Sequence, residues 1–136
     1  MKKFVFILAC FFTINLVKAQ NQIKKDSIET KSNALGRTKD EAKLLAESYR
    51  VRVLNGENFS VLAALYSEDP GSAKIGGQLP PFGKGQMVPE FEEVAFKLKS
   101  GEISDVFETK YGFHFIQLLA REGEKVVARH ILISGR

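Results

Sequence analysis

Along the chain, apolar spacing moves from helical to extended in a definite order. Residues 20–37 are polar with no sustained period and read as a tail or linker, with at best a short strand near Ser27 to Lys31. Thr38 opens a helix: T-K-D-E is a capping box with Glu41 three residues after the cap. Leu45, Tyr49 and Val53 supply one face, and Asn55-Gly56 ends the helix. A shorter helix follows over 59–66, with Phe59, Leu62, Ala63 and Tyr66 on one side. From Ser67 to Gln86 runs a glycine- and proline-rich loop whose length suggests function or disorder, and whose Leu79, Pro81 and Phe82 speak against disorder. Val88-Pro89-Glu90 starts a third helix with proline in its first turn. Phe91, Val94, Ala95 and Leu98 form its apolar stripe, and Lys99-Ser100-Gly101 stops it.

The period then falls to two. "ISDVFET" is extended, "FHFIQLL" is a strand, and "VVARHILISGR" is a second strand that closes the chain. "AREGEK" between them reads as a hairpin connection. A three-residue loop at Arg121, Glu122 and Gly123 sets Ala120 opposite Glu124, Leu118 opposite Val126, and His114 opposite His130. The chain's only two histidines then share one sheet surface, with Cβ atoms about 5 Å apart. A slip of one residue would put them on opposite faces. Alone, each is an ordinary histidine satisfied by backbone or water; paired beside an unusual loop, they suggest a site. With no third placed ligand, they make a poor metal centre, and no metal is expected.

The N-terminus changes the charge picture. "MKKFVFILACFFTINLVKAQ" has a basic start, an apolar run over 4–12 and a small-residue ending, the layout of a secretory signal cleaved after Ala19. A retained anchor is the rival, but the run is short of the roughly 20 residues that span a bilayer. Lipidation at Cys10 is disfavoured by bulky Leu8 two places before it. Losing Lys2, Lys3 and Lys18 takes 20 basic side chains to 17 against 16 acidic ones, so the net charge falls from +4 to about +1. No cationic face for nucleic acid and no stable membrane insertion are expected after cleavage. Cleavage also removes the single cysteine, which excludes disulfides, thiol nucleophiles and cysteine metal sites and suits an oxidising compartment. The expected division is signal peptide 1–19, tail or linker 20–37, and one domain over 38–136, periplasmic or secreted.

Read as one ordered series, "YSEDPGS", "GGQL", "FGKGQMVPEFE", "LKSGEIS" and "YGFHFIQLL" resemble the parvulin-type peptidyl-prolyl cis–trans isomerases of exported folding factors, over about Thr38 to Leu119. The resemblance implies an α+β fold: a four-stranded antiparallel sheet covered by about four short helices. In the family an "ARHIL" strand precedes the first helix. Here "DSIETKSNALG" precedes Thr38, and "ARHILI" stands at the far end. Either the chain is a truncated tandem parvulin, or the terminal strand folds back beside "FHFIQLL" and supplies the missing strand, as a circular permutation would. The hairpin register favours the fold-back.

The resemblance further implies isomerase activity without a cofactor on unfolded or newly exported chains containing X–Pro bonds. Met87 and Phe91 line the proline pocket, with Leu79 and Phe82 at its wall; by spacing alone Phe91 would be only core. Asp69 matches the family's polar active-site position and His114 the histidine of the last strand. His130 matches the first-strand histidine if the terminal strand docks. The pair is expected to tune Asp69 and shape the pocket rather than shuttle protons. Pro80 replaces a usual glycine and would stiffen the loop or misplace its neighbours; Val88 replaces a polar residue of some relatives. With no basic cluster after a first strand, no phosphate preference is expected. Two alternatives stay open: a chaperone-like module that binds peptides without speeding rotation, and a non-functional fragment.

Overall fold

The structure, a computed structural model, describes residues 36–136 together with Lys18. Lys18 apart, the expected export signal lies outside the described residues, as does all but the end of the polar tail. Arg37–Arg136 pack as one unit. Helix α1 spans Lys39–Leu54, α2 Phe59–Tyr66 and α3 Pro89–Lys97; strands are β1 Phe107–Thr109, β2 Gly112–Glu122 and β3 Lys125–Ile133. Among the described residues no helix is long and apolar enough to cross a membrane.

The local rules hold where chemistry is local. Thr38 caps α1, its side chain taking the Glu41 N–H while the Glu41 carboxylate takes the Thr38 N–H. Asn58 caps α2 through the Val61 N–H. Pro89 occupies the first turn of α3, where a missing N–H costs nothing. The buried stripe of α1 differs from the expected face: Ala42, Ala46 and Tyr49 form its centre, while Leu45 and Val53 flank it half-buried. Small residues there let the chain end come close, for a Cβ on Gly135 would lie 2.8 Å from the Ala42 Cβ.

The antiparallel sheet runs β1-β2-β3. Its two long strands are covered on both sides. On one face Phe113, Phe115, Ile131 and Ile133 pack on α1 and α2; on the other Ile116, Leu118, Val126 and Ala128 pack on α3 and Phe82. Double coverage explains why both strands read as nearly continuous apolar runs. Instead of the expected four, three strands form among the described residues. Gly77–Phe82 runs along the outer edge of β3 through isolated bridges, Gln78 to Arg129 and Phe82 to Val126. The His130 N–H donates to the Gly77 carbonyl at 2.9 Å, and the Leu79 N–H to Ala128 at 2.9 Å. Gly77 cannot be another residue: at φ +79 its Cβ would sit 2.2 Å from the His130 carbonyl oxygen. Pro80 and Pro81 fall between the ladder bonds of Leu79 and Phe82 and face solvent, so the edge keeps its hydrogen bonds. Pro80 therefore leaves its neighbours in place.

The hairpin register differs from the expected one. Its loop has two residues, Gly123 and Glu124, with Glu122 opposite Lys125. Gly123, at φ +61, is the first central residue, the position that a type II′ turn reserves for glycine. Carried straight down the ladder, this register would put the histidines on opposite faces. A bulge between Leu118 and Ala120 shifts it by one residue, so that His114 faces Leu132 and Ile116 faces His130. The histidines are thus diagonal neighbours on one face rather than a directly opposed pair. The final register differs from the expected one by two residues, which preserves the face.

Candidate active site

β3 docks beside β2, and its exit is tied down. The Glu68 N–H donates to the Leu132 carbonyl at 2.8 Å, and Glu68 accepts the Ser134 N–H at 2.6 Å. The Arg136 N–H reaches the Arg37 carbonyl at 2.8 Å, which brings the end of the unit against its beginning. This anchoring holds His130, 5% exposed, beside His114, 3% exposed, with their rings stacked at 5.5 Å.

Around the rings runs one hydrogen-bonded line. The Tyr111 N–H donates to Thr109 Oγ1 at 3.1 Å, which lies 2.7 Å from His114 Nε2. His114 Nδ1 meets His130 Nδ1 at 3.3 Å, and His130 Nε2 lies 2.8 Å from Asp69 Oδ2. The buried Ser72 hydroxyl donates to the same carboxylate oxygen, and the Gly71 N–H to the other at 3.1 Å. One pair of neutral tautomers satisfies every contact: His114 carries its proton on Nδ1 and His130 on Nε2. Every donor then points toward Asp69.

The electrostatics agree with that assignment. Burial pushes His114 down to about 4, helped by neighbouring His130 and opposed by Asp69. Burial also lowers His130, against the pull of Asp69. Partial burial works against the Asp69 charge, but hydrogen bonds from Ser72, His130 and Gly71 outweigh it and hold the carboxyl below its usual range. At neutral pH the line therefore consists of two neutral imidazoles ending on one carboxylate.

Above it opens a groove of about 670 Å³, lined by Leu79, Met87, Val88, Phe91, both histidines and Asp69, and reaching Tyr111, Leu132 and Ser134. Phe91 presents its ring edge-on to both imidazoles, at 5.7 and 5.3 Å. It also packs among buried residues and is 4% exposed, so it belongs to core and groove alike. The approach to α3 is pinned by Glu92, which accepts the Gly85 N–H at 3.0 Å and the Met87 N–H at 2.8 Å. Phe82 differs from expectation. It lies outside the groove lining, 2% exposed, with its ring centroid 5.9 Å behind that of Phe91 at a tilt of 55°, because the edge ladder turns its side chain into the core. Two members of the line escaped sequence reading. Thr109 becomes visible only if Lys110-Tyr111 is read as a two-residue hairpin loop; Ser72 stands three residues after Asp69, in a turn where the Ser72 and Ala73 N–H groups both point at the Asp69 carbonyl.

The PPIC-type PPIase domain profile matches residues 13–122. The chain belongs to this family. The family match stops at Glu122, so β3 and His130 lie beyond it. Among curated relatives, foldase protein PrsA of Geobacillus kaustophilus is 51% identical over 80 residues, 59% of this chain and 28% of that protein. Chaperone SurA of Pseudomonas savastanoi pv. phaseolicola is 45% identical over 85 residues, 62% of this chain and 20% of that protein. A crystal structure of a peptidylprolyl isomerase (PrsA) from Bacillus cereus aligns with TM-score 0.58 at 40% identity, covering 60% of this chain and 32% of that one. The chain thus spans between a fifth and a third of the length of these family relatives.

Proposed function

We propose that the chain is a peptidyl-prolyl cis–trans isomerase that assists the folding of exported polypeptides by twisting X–Pro amides without covalent chemistry. The observation that carries this reading is the juxtaposition of an apolar groove with a fully hydrogen-bonded line ending on Asp69. Rotation about the amide faces a barrier of about 18–20 kcal/mol because resonance is lost. A site accelerates it by binding the twisted amide better than either planar form. Leu79, Met87 and Phe91 offer an adaptable, flat-walled seat for a pyrrolidine ring. The groove replaces water that would otherwise stabilise the polar planar amide. The neutral imidazoles hold Asp69 at a fixed place and charge, and no proton needs to move.

The export part of the proposal rests on the N-terminal signal layout, with 1–19 removed, 20–37 a tail and 38–136 the working domain. In that domain the 77–82 edge takes the place of the fourth strand, and β3 supplies the strand that relatives place before their first helix. A second reading, a peptide-binding module that does not speed rotation, draws support from the SurA relative, whose name is that of a chaperone. A protease-coupled proline-peptide assay separates them. Acceleration lost in Met87→Ala and His114→Ala supports the isomerase; saturable peptide binding with no acceleration would replace it with the second reading.

A further inference from the structure

We infer that the groove continues past the proline seat into a second subsite, walled by Tyr111 and Leu132, that takes a basic side chain next to the proline. The inference rests on the isomerase reading and gives it a substrate class. Among the large apolar side chains that are exposed in the described residues, only Tyr111 lines the groove, and it is 57% exposed. Its turn is held rigidly. The Tyr111 N–H is bound to Thr109 Oγ1, the hydroxyl that contacts His114. Gly112, next in sequence at φ +135, is packed so closely that a Cβ would sit 2.5 Å from the Ile133 carbonyl oxygen. An aromatic ring presented on so fixed a turn loses little freedom when a ligand covers it.

Charge selects the ligand. The lining holds two carboxylates, Glu68 and Asp69, and none of its residues is lysine or arginine. Glu68 is neutralised by Arg37. Asp69 is not, because Ser72, Gly71 and neutral His130 bring hydrogen bonds but no positive charge. Low-dielectric walls focus that field into the groove. A lysine or arginine side chain matches both features: its stem lies on Leu132 and Tyr111, and its head approaches the ring face and the carboxylate. The ring already attracts one cation, since Lys110 Nζ stands 5.1 Å from its centroid. An acidic or phosphorylated neighbour would be repelled.

The test follows isomerisation of Ala-X-Pro-Phe peptides, with X as arginine, alanine or glutamate, by NMR exchange on the purified chain. No protease is then present to impose its own preference. At low salt kcat/KM should rank arginine, alanine, glutamate, with about tenfold between the ends, shrinking in 0.5 M salt. Tyr111→Ala should cut the arginine advantage over alanine about threefold, and Tyr111→Phe should keep it. If the alanine peptide is accelerated while arginine and glutamate run equally, or if Tyr111→Ala leaves the ranking intact, the subsite is refuted and the isomerase reading survives. If no peptide is accelerated, the isomerase reading fails. Shift titrations with the same peptides then decide the subsite: tighter binding of the arginine peptide supports it, and equal or absent binding overturns it.

Discussion

The two faces of the β2–β3 ribbon are made from alternate residues of the same strands, yet they do opposite things. On the α1–α2 side Phe113, Phe115, Ile131 and Ile133 meet alanines and aromatic rings, and the face is closed. On the α3 side the same pleat presents Ile116, Leu118, Val126 and Ala128 and then, toward one end, the two histidines. One face stores stability. The other gives up part of its apolar contact to hold a polar line under a groove. Strand periodicity makes this division possible, since each residue belongs to one side only.

Removing β3, which both faces share, should have the largest effect. A chain ending at Gly123 loses Val126, Ile131 and Ile133, each at most 1% exposed. At about 1.5–3 kcal/mol per side chain, that loss approaches the whole stability of a small domain. Thermal melting should show no cooperative transition; a melt like that of the full chain would mean β3 contributes nothing. Next in size, Phe115→Ala on the closed face should cost about 3–5 kcal/mol in denaturant unfolding.

A pH titration of stability probes the other face. His114 is pushed down to about 4 in the folded chain, whereas the unfolded chain binds that proton near 6.5. Between those values the unfolded state holds more protons, so stability should fall as the pH drops from about 6.5 to about 4, by up to roughly 3 kcal/mol. His130, also lowered, acts in the same direction. Asp69, lowered too, contributes stability that is lost only below the usual carboxylate range. His114→Gln should flatten the slope; an unchanged slope would place the titration elsewhere.

Groove variants should separate stability from activity. Met87→Ala, at a half-buried site, should cost only about 1 kcal/mol of stability while lowering kcat/KM about tenfold. Matched losses in both would make Met87 a packing residue. Smallest of all, Pro80→Gly should destabilise by at most about 1 kcal/mol, through the freedom it adds to the unfolded chain, because both flanking ladder bonds remain.

What the sequence disclosed divides along physical lines. The capping box at Thr38, the Phe59–Tyr66 helix and the proline start of α3 depend on residues within one turn, and all were readable. The shared face of the two histidines was readable too, but through a register wrong by two. A two-residue turn and a bulge near Leu119 replace the single longer loop, and that bulge answers to packing on both faces at once, which no local pattern encodes. The inward turn of Phe82, and the Thr109 and Ser72 ends of the polar line, depend on how separate segments meet. Tertiary contact decides them.

Two neutral imidazoles of opposite tautomer carry a one-way hydrogen-bond line to Asp69. Nitrogen-15 NMR of the ring nitrogens at neutral pH reads this protonation pattern. One ring should be protonated at Nδ1 and the other at Nε2, assigned to His114 and His130 respectively. An imidazolium signal, or two rings of the same tautomer, would rule out the one-way line.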